Sequence, residues 1–181
     1  MTATTHEPVT LEAYGVVSEP ATLTLQRLLP GPIERVWAYL TQSDLRKQWL
    51  ASGDMEMKTG AQFQLTWRND ELTDPPGRRP EGFGEEHSLQ SEITELDAPR
   101  RLAFGFGGGS EVTFELEPKG NDVLLTLTHR RVPDRGYLLS VSAGWHAHLD
   151  LLVARMSGGE ALPHWDHWSR LRAENAQRIP E

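Results

Sequence analysis

The chain has 181 residues, a formal charge of −8 and no cysteine, a length that predicts one domain around a single core. Without cysteine there are no disulfides, thiolate nucleophiles or cysteine-ligated metals, and the acidic balance argues against nucleic acid or an anionic membrane surface as partner, since phosphates call for a basic face. No apolar run approaches the ~20 residues of a membrane span and no leader-like segment opens the chain, so the expectation is a soluble, cytoplasmic protein.

Residues 1–20 are polar and lack a clear period, which reads as an N-terminal tail or an extra strand. Residues 21–29 alternate, with Leu23 and Leu25 on one face, before Leu28-Leu29 breaks the pattern; Pro30-Gly31-Pro32 ends the strand because proline cannot donate to a ladder. Pro32 suits the first turn of a short helix that carries Ile33, Val36, Trp37 and Leu40 on its apolar stripe, with Glu34 near the positive end. Ser43 is placed to cap a second short helix, which turns Leu45, Trp49 and Leu50 inward and stops at Gly53. Met55 and Met57, then Phe63, Leu65 and Trp67, alternate on either side of Thr59-Gly60, the layout of a two-stranded hairpin. Residues 69–85 are rich in proline, glycine and charge, and read as a mobile insertion.

A strand over 86–96 places His87, Leu89, Ser91, Ile93 and Glu95 on one face. After a turn at Asp97-Ala98-Pro99, Leu102, Phe104 and Phe106 share a face, as do Val112, Phe114 and Leu116 on the next strand. The last strand aligns Val123, Leu125, Leu127 and His129. A helix over 136–156 then carries Leu138, Val141, Trp145, Leu149, Leu152 and Met156 at three- and four-residue spacing. Gly158-Gly159 ends it, and beyond Pro163 a final short helix sets Trp165, Trp168 and Leu171 on one side, to pack on the domain or on a second copy in a homodimer. This order predicts an α+β fold: a curved antiparallel sheet of about six to seven strands around a long C-terminal helix, with two short helices after the first strand. The divisions are a tail (1–20), a core domain (21–159) and a C-terminal tail helix (160–181).

Five segments in this order carry a resemblance. Pro32-Ile33-Glu34-Arg35-Val36-Trp37-Ala38-Tyr39-Leu40 with Trp49-Leu50, Glu95-Leu96-Asp97-Ala98-Pro99-Arg100-Arg101-Leu102, Ser110-Glu111-Val112-Thr113-Phe114-Glu115-Leu116-Glu117, Leu125-Thr126-Leu127-Thr128-His129, and Gly144-Trp145 through Leu149 and Leu152 together resemble the activator of heat-shock-protein-90 ATPase homologue-like family. That family lies within the helix-grip START and birch-pollen-allergen-like (SRPBCC) superfamily. The resemblance covers about 21–159 and implies a sheet that grips its helix around an apolar cavity. It implies binding of a ligand more than any chemistry, because the family shares no catalytic signature.

A ligand-binding role places Tyr39, Trp49, Phe63, Leu65, Trp67, Ser91, Phe104, Phe106, Phe114, Leu127, His129, Trp145, Leu149 and Leu152 around the cavity. The leading reading is a non-catalytic binder of a small apolar or amphipathic molecule. Two alternatives stand beside it: a polyketide cyclase- or hydrolase-like enzyme in which His129, with His87 or Glu95, moves protons, and a co-chaperone-like interaction module. No catalytic residue is otherwise assigned, and no cofactor is expected. His146 and Asp150 sit one helical turn apart and can hydrogen-bond, while His148 lies some 200° round the helix from His146 and cannot share a metal with it. His164 and His167 at i,i+3 lack a third ligand, so no metal site is expected. There is no Gly-x-Ser-x-Gly elbow, and Gly105-Phe106-Gly107-Gly108-Gly109 precedes a strand and lacks the lysine of a phosphate loop.

Overall fold

The elements in chain order are β1 (Val16–Ser18), β2 (Thr22–Pro30), α1 (Ile33–Thr41), α2 (Ser43–Arg46), β3 (Gln62–Trp67), β4 (His87–Asp97), β5 (Arg101–Gly105), β6 (Glu111–Lys119), β7 (Asp122–Arg130), α3 (Arg135–Ser157) and α4 (His164–Arg178), with a 3-10 turn over Asn69–Glu71. In this computed structural model, which describes residues 11–18 and 21–181, the strands form one curved antiparallel sheet in the order β1-β2-β7-β6-β5-β4-β3. The tail reading therefore falls mostly on positions outside the described residues; within them, Val16–Ser18 pairs with β2.

The strand alternation carries through to burial. Leu23, Leu25 and Leu29 of β2, Val112, Phe114 and Leu116 of β6, and Val123, Leu125 and Leu127 of β7 are all buried on the face toward α3. Each such aliphatic side chain, removed from water, contributes about 1.5–3 kcal/mol before ordering costs. The apparent break at Leu28-Leu29 is no break. Arg27 occupies the inward slot between Leu25 and Leu29, paired to Asp150 of α3 at 3.2 Å, and Leu28 is the outward residue.

Helix α3 begins at Asp134, whose side chain accepts from the Tyr137 N–H at 2.8 Å, and ends on Gly158 in the left-handed conformation. One apolar stripe understates it. Ala143, Ala147 and Leu151 are buried as well as Trp145, Leu149 and Leu152, because α4 covers the side that the sheet does not.

Three local expectations give way. The Met55–Met57 half of the first hairpin is not a strand; a single bridge, Ser52 to Thr66, replaces it, and Met57 is exposed. Pro32 precedes α1 as its extended N-cap residue. Ser43 does not cap α2; its hydroxyl accepts from the N–H of Gly53, and Gln42 holds the cap position.

Arg46 explains why this irregular stretch holds its shape. It is buried, and its guanidinium donates to the carbonyls of Ala51 (3.0 Å), Leu40 (3.2 Å), Thr41 (3.1 Å) and Gly53. Desolvation lowers its pKa to about 10, so it stays charged at neutral pH. A planar fork of five N–H donors suits four converging carbonyls that no helix or sheet satisfies.

Candidate functional site

A cavity of about 570 Å³ opens where the end of β3, the start of β4, the β5–β6 turn, one face of α3 and the N-terminal half of α4 converge. Its α3 face is read every three or four residues at Tyr137, Ser140, Val141, Gly144, Trp145 and His148. Gly144 leaves room there: a Cβ on it would lie 3.8 Å from the Trp168 indole nitrogen. Trp67, Phe83, Phe106, Tyr137, Trp145, Trp165 and Trp168 supply seven aromatic side chains to the walls.

The segment 69–85, expected as a mobile insertion, is strapped to α4 and closes one side of this cavity. Asp70 accepts from the Trp165 indole N–H at 2.7 Å and pairs with Arg79 at 2.6 Å. Asp166 accepts from the Arg78 N–H at 2.9 Å, and the Thr73 hydroxyl accepts from the His164 N–H at 2.9 Å. Gly77 makes the close approach, with φ +80° and a would-be Cβ 2.8 Å from the Asp166 nitrogen. Phe83 then lies 5.1 and 5.0 Å from the rings of Trp165 and Trp168, still 43% exposed at the rim.

Asn69, Tyr137, Ser140 and His148 bring polar groups to the lining, with Glu85, Glu86 and His87 at its rim. The Tyr137 hydroxyl donates to the Phe106 carbonyl at 3.0 Å, and burial raises its pKa. His148 holds its Nδ1 at 2.7 Å from the Trp49 carbonyl. A carbonyl only accepts, so Nδ1 carries the proton and Nε2 is a lone-pair acceptor. Desolvation, partly offset by that bond, lowers the His148 pKa to about 4, so the ring is neutral at pH 7. His164 packs against its far side at 4.9 Å, deeply buried, with neither ring nitrogen hydrogen-bonded among the described residues. No lysine or arginine lines the walls, and exposed Glu85 and Glu86 stand at the rim.

Of the residues expected around a ligand, Trp67, Phe106 and Trp145 line this cavity; His87, expected only as a proton-moving partner, stands at its exposed rim, 5.8 Å from the Trp67 ring. Trp49, Phe63, Leu65 and Phe104 do not; they are buried in the core, as are Phe114, Leu127, Leu149 and Leu152. Tyr39 is half-buried on α1, beside the Arg35 guanidinium. Ser91 donates to the Gly105 carbonyl.

His129 is fully buried but engaged on both ring nitrogens. The Trp145 indole donates to Nδ1 at 3.1 Å, so Nε2 bears the proton and donates to Ser110 Oγ at 2.9 Å. Ser110 in turn reaches the carbonyls of Phe106 and Gly107. Desolvation lowers the His129 pKa to about 4. Glu95 is nowhere near it: a register shift in β4 between Ile93 and Glu95 breaks the alternation, leaving Glu95 exposed and bound to Arg101. The proton-moving set His129, His87 and Glu95 is therefore not assembled.

The remaining histidines separate differently from their spacing. His167 leaves His164 and binds Asp150 of α3 at 2.8 Å, where His146 also arrives at 3.4 Å, so these three bring ligand-type atoms within 4.8 Å of one another. Arg27 takes the other Asp150 oxygen, and Arg170 donates to the His167 Nδ1 at 2.8 Å. The arrangement is a hydrogen-bonded clamp between α3 and α4. Burial raises the Asp150 pKa, but His167, His146 and Arg27 outweigh it and hold the carboxyl below its ordinary value. Burial pushes His146 down to about 4.

Phe83, Tyr137, His148, Trp165 and Trp168 line the cavity without having been read from the sequence as ligand-facing. For His148 the signal was present, three residues beyond Trp145 and so on the same helical face. For the tail tryptophans it was not, since nothing local says where a terminal helix docks.

A model of the family described as Activator of Hsp90 ATPase homolog 1-like protein matches residues 30–157. Among solved structures, a Bordetella parapertussis protein is 34% identical over 97% of this chain and 91% of its own, with a TM-score of 0.76. CalU16 from Micromonospora echinospora is 19% identical over 93% of this chain and 96% of its own, with a TM-score of 0.65. A conserved protein of unknown function from Enterococcus faecalis is 15% identical over 92% and 91%, with a TM-score of 0.64. The last two show a shared fold. No curated protein matches the chain. No helix among the described residues is long and apolar enough to cross a membrane.

Proposed function

We propose, for a chain that belongs to the activator of Hsp90 ATPase homolog 1-like family, that it binds a small apolar or amphipathic molecule in the cavity between α3, α4 and the β3–β4 side of the sheet, without transforming it. The observation that carries this reading is the cavity itself: about 570 Å³, walled by seven aromatic side chains, within the size range and composition of small-molecule sites. A side-chain core that served packing alone would close such a space, since voids cost contact energy. Support for binding without catalysis comes from His129, whose two ring nitrogens are consumed by Trp145 and Ser110, and from Glu95, which faces solvent.

Affinity would come from burying apolar ligand surface at about 25 cal/mol per Å², less the cost of ordering the ligand and the Phe83 loop. The test is native mass spectrometry of freshly purified protein together with a thermal-shift screen of fatty acids, flavonoids and polyketide-like aromatics. A co-purifying mass, or a melting temperature that climbs with ligand concentration, is the expected result. A protein that emerges empty and is stabilised by none of them overturns the reading.

A further inference from the structure

We infer that the occupant of this cavity is a neutral, flat aromatic molecule bearing a hydroxyl group, and that His148 Nε2 accepts that group's hydrogen bond. The inference rests on the proposed binding role and names the chemistry of the ligand.

The geometry of one histidine sets the polarity of the site. With Nδ1–H committed to the Trp49 carbonyl at 2.7 Å, His148 presents its other nitrogen only as an acceptor. That nitrogen has no protein partner among the described residues, and His148 lines the cavity. The Tyr137 hydroxyl, about three helical turns away on α3, donates to the Phe106 carbonyl and does not share this position. Asn69 Oδ1 in the same lining is a second acceptor without a hydrogen-bond partner among the described residues, and unpaired acceptors on the wall ask for a donor on the ligand.

Charge narrows the class further. A carboxylate would meet no lysine or arginine on the walls, and at the rim it would pass exposed Glu85 and a Glu86 already paired with Arg68. Fatty-acid anions are disfavoured for that reason. Trp67, Phe106, Trp145 and Trp168 offer faces and edges against which a flat ring system stacks.

The experiment titrates the full chain by calorimetry with 2-naphthol, 2-methoxynaphthalene and 2-naphthoate, which share one ring system and differ only as donor, methylated donor and anion. The alcohol is expected to bind about tenfold tighter than the ether, the worth of one hydrogen bond to a buried acceptor, and the anion more weakly than either. In His148→Phe the alcohol-to-ether ratio falls to about one. Should that variant fail to fold, the ¹⁵N shift of His148 Nε2 in the unsubstituted protein serves instead: it moves upfield with the alcohol and stays with the ether. Equal affinity for alcohol and ether, a ratio retained in His148→Phe, or an unmoved nitrogen overturns the inference while leaving cavity binding intact. Failure of all three probes to bind overturns the inference, and the binding role falls with it only when the protein also emerges empty and unstabilised from the wider screen.

Discussion

The Trp145 indole donates to Nδ1 of His129 across 3.1 Å, and this contact decides what both residues do. It holds a large ring of α3 against β7 at the depth where the cavity begins. It also leaves the imidazole with its proton on Nε2, directed at Ser110. A histidine used in this way is a fixed strut between helix, sheet and the β5–β6 turn.

Replacing that strut tests its role. In His129→Ala the Trp145 N–H and the Ser110 hydroxyl lose their partner in a dry environment, and a void appears beside Phe106. The expected loss is about 2–4 kcal/mol in urea unfolding, while affinity for a cavity ligand changes less than about tenfold. A near-neutral effect on stability would show that the network is not a strut.

Acid should unfold the protein through its histidines. His129, His146 and His148 are each held at about 4 in the folded state, below an ordinary value of 6.5. A depressed histidine pKa means that the unfolded chain takes up the proton first, so this share of stability is complete above about pH 6.5 and drains away as pH falls toward 4. Asp150, held below its ordinary 3.8, adds loss in the same direction at lower pH. Urea midpoints measured at pH 7.5, 6 and 5 should therefore decline; an unchanged midpoint across that window would contradict the burial of these rings.

Arg46→Leu keeps the bulk and removes the donors. Four carbonyls around the α2–β3 connection then face a dry pocket without an N–H, at an expected cost of at least about 3 kcal/mol. Arg46→Lys recovers only part, because three donors on a point charge do not reproduce the fork. Denaturant unfolding of the two variants side by side reads the difference.

Gly77→Ala probes the strap. The position combines φ +80° with an approach to Asp166 that leaves no space for a Cβ, so the loop must shift, at about 1–2 kcal/mol. Amide hydrogen exchange should quicken by about tenfold in residues 70–86 and around Trp165, with the sheet unchanged. Equal exchange in both proteins would mean that this close approach does not hold the loop.

Much of the fold is legible along the chain. Alternation at Phe63-Leu65-Trp67 and Val123-Leu125-Leu127, and the three-to-four spacing from Leu138 to Met156, report elements whose period is a local property of backbone geometry. The exceptions have tertiary causes: Met55 and Met57 alternate without a partner strand in reach, and Leu28-Leu29 reads as a pattern break until Arg27 is seen turned inward to Asp150.

The site was far less legible. Eight apolar residues expected around a ligand pack solidly in the core instead, because inward-facing and cavity-facing look the same in a sequence of alternating side chains. Glu95 left the predicted face through one register shift in β4, which no pattern announces. Phe83 and Trp168 meet 5.0 Å apart from segments distant in the chain.

The amino-acid sequence by itself determined most of the strands, the helices and their order, since steric period and hydrophobic burial act over a few neighbouring residues. Only the tertiary structure decided which aromatic rings surround empty space and which histidine nitrogen is left to face it. Those outcomes depend on how the 69–85 strap, α3 and α4 exclude one another's volume, and excluded volume between remote segments is a property of the packed molecule.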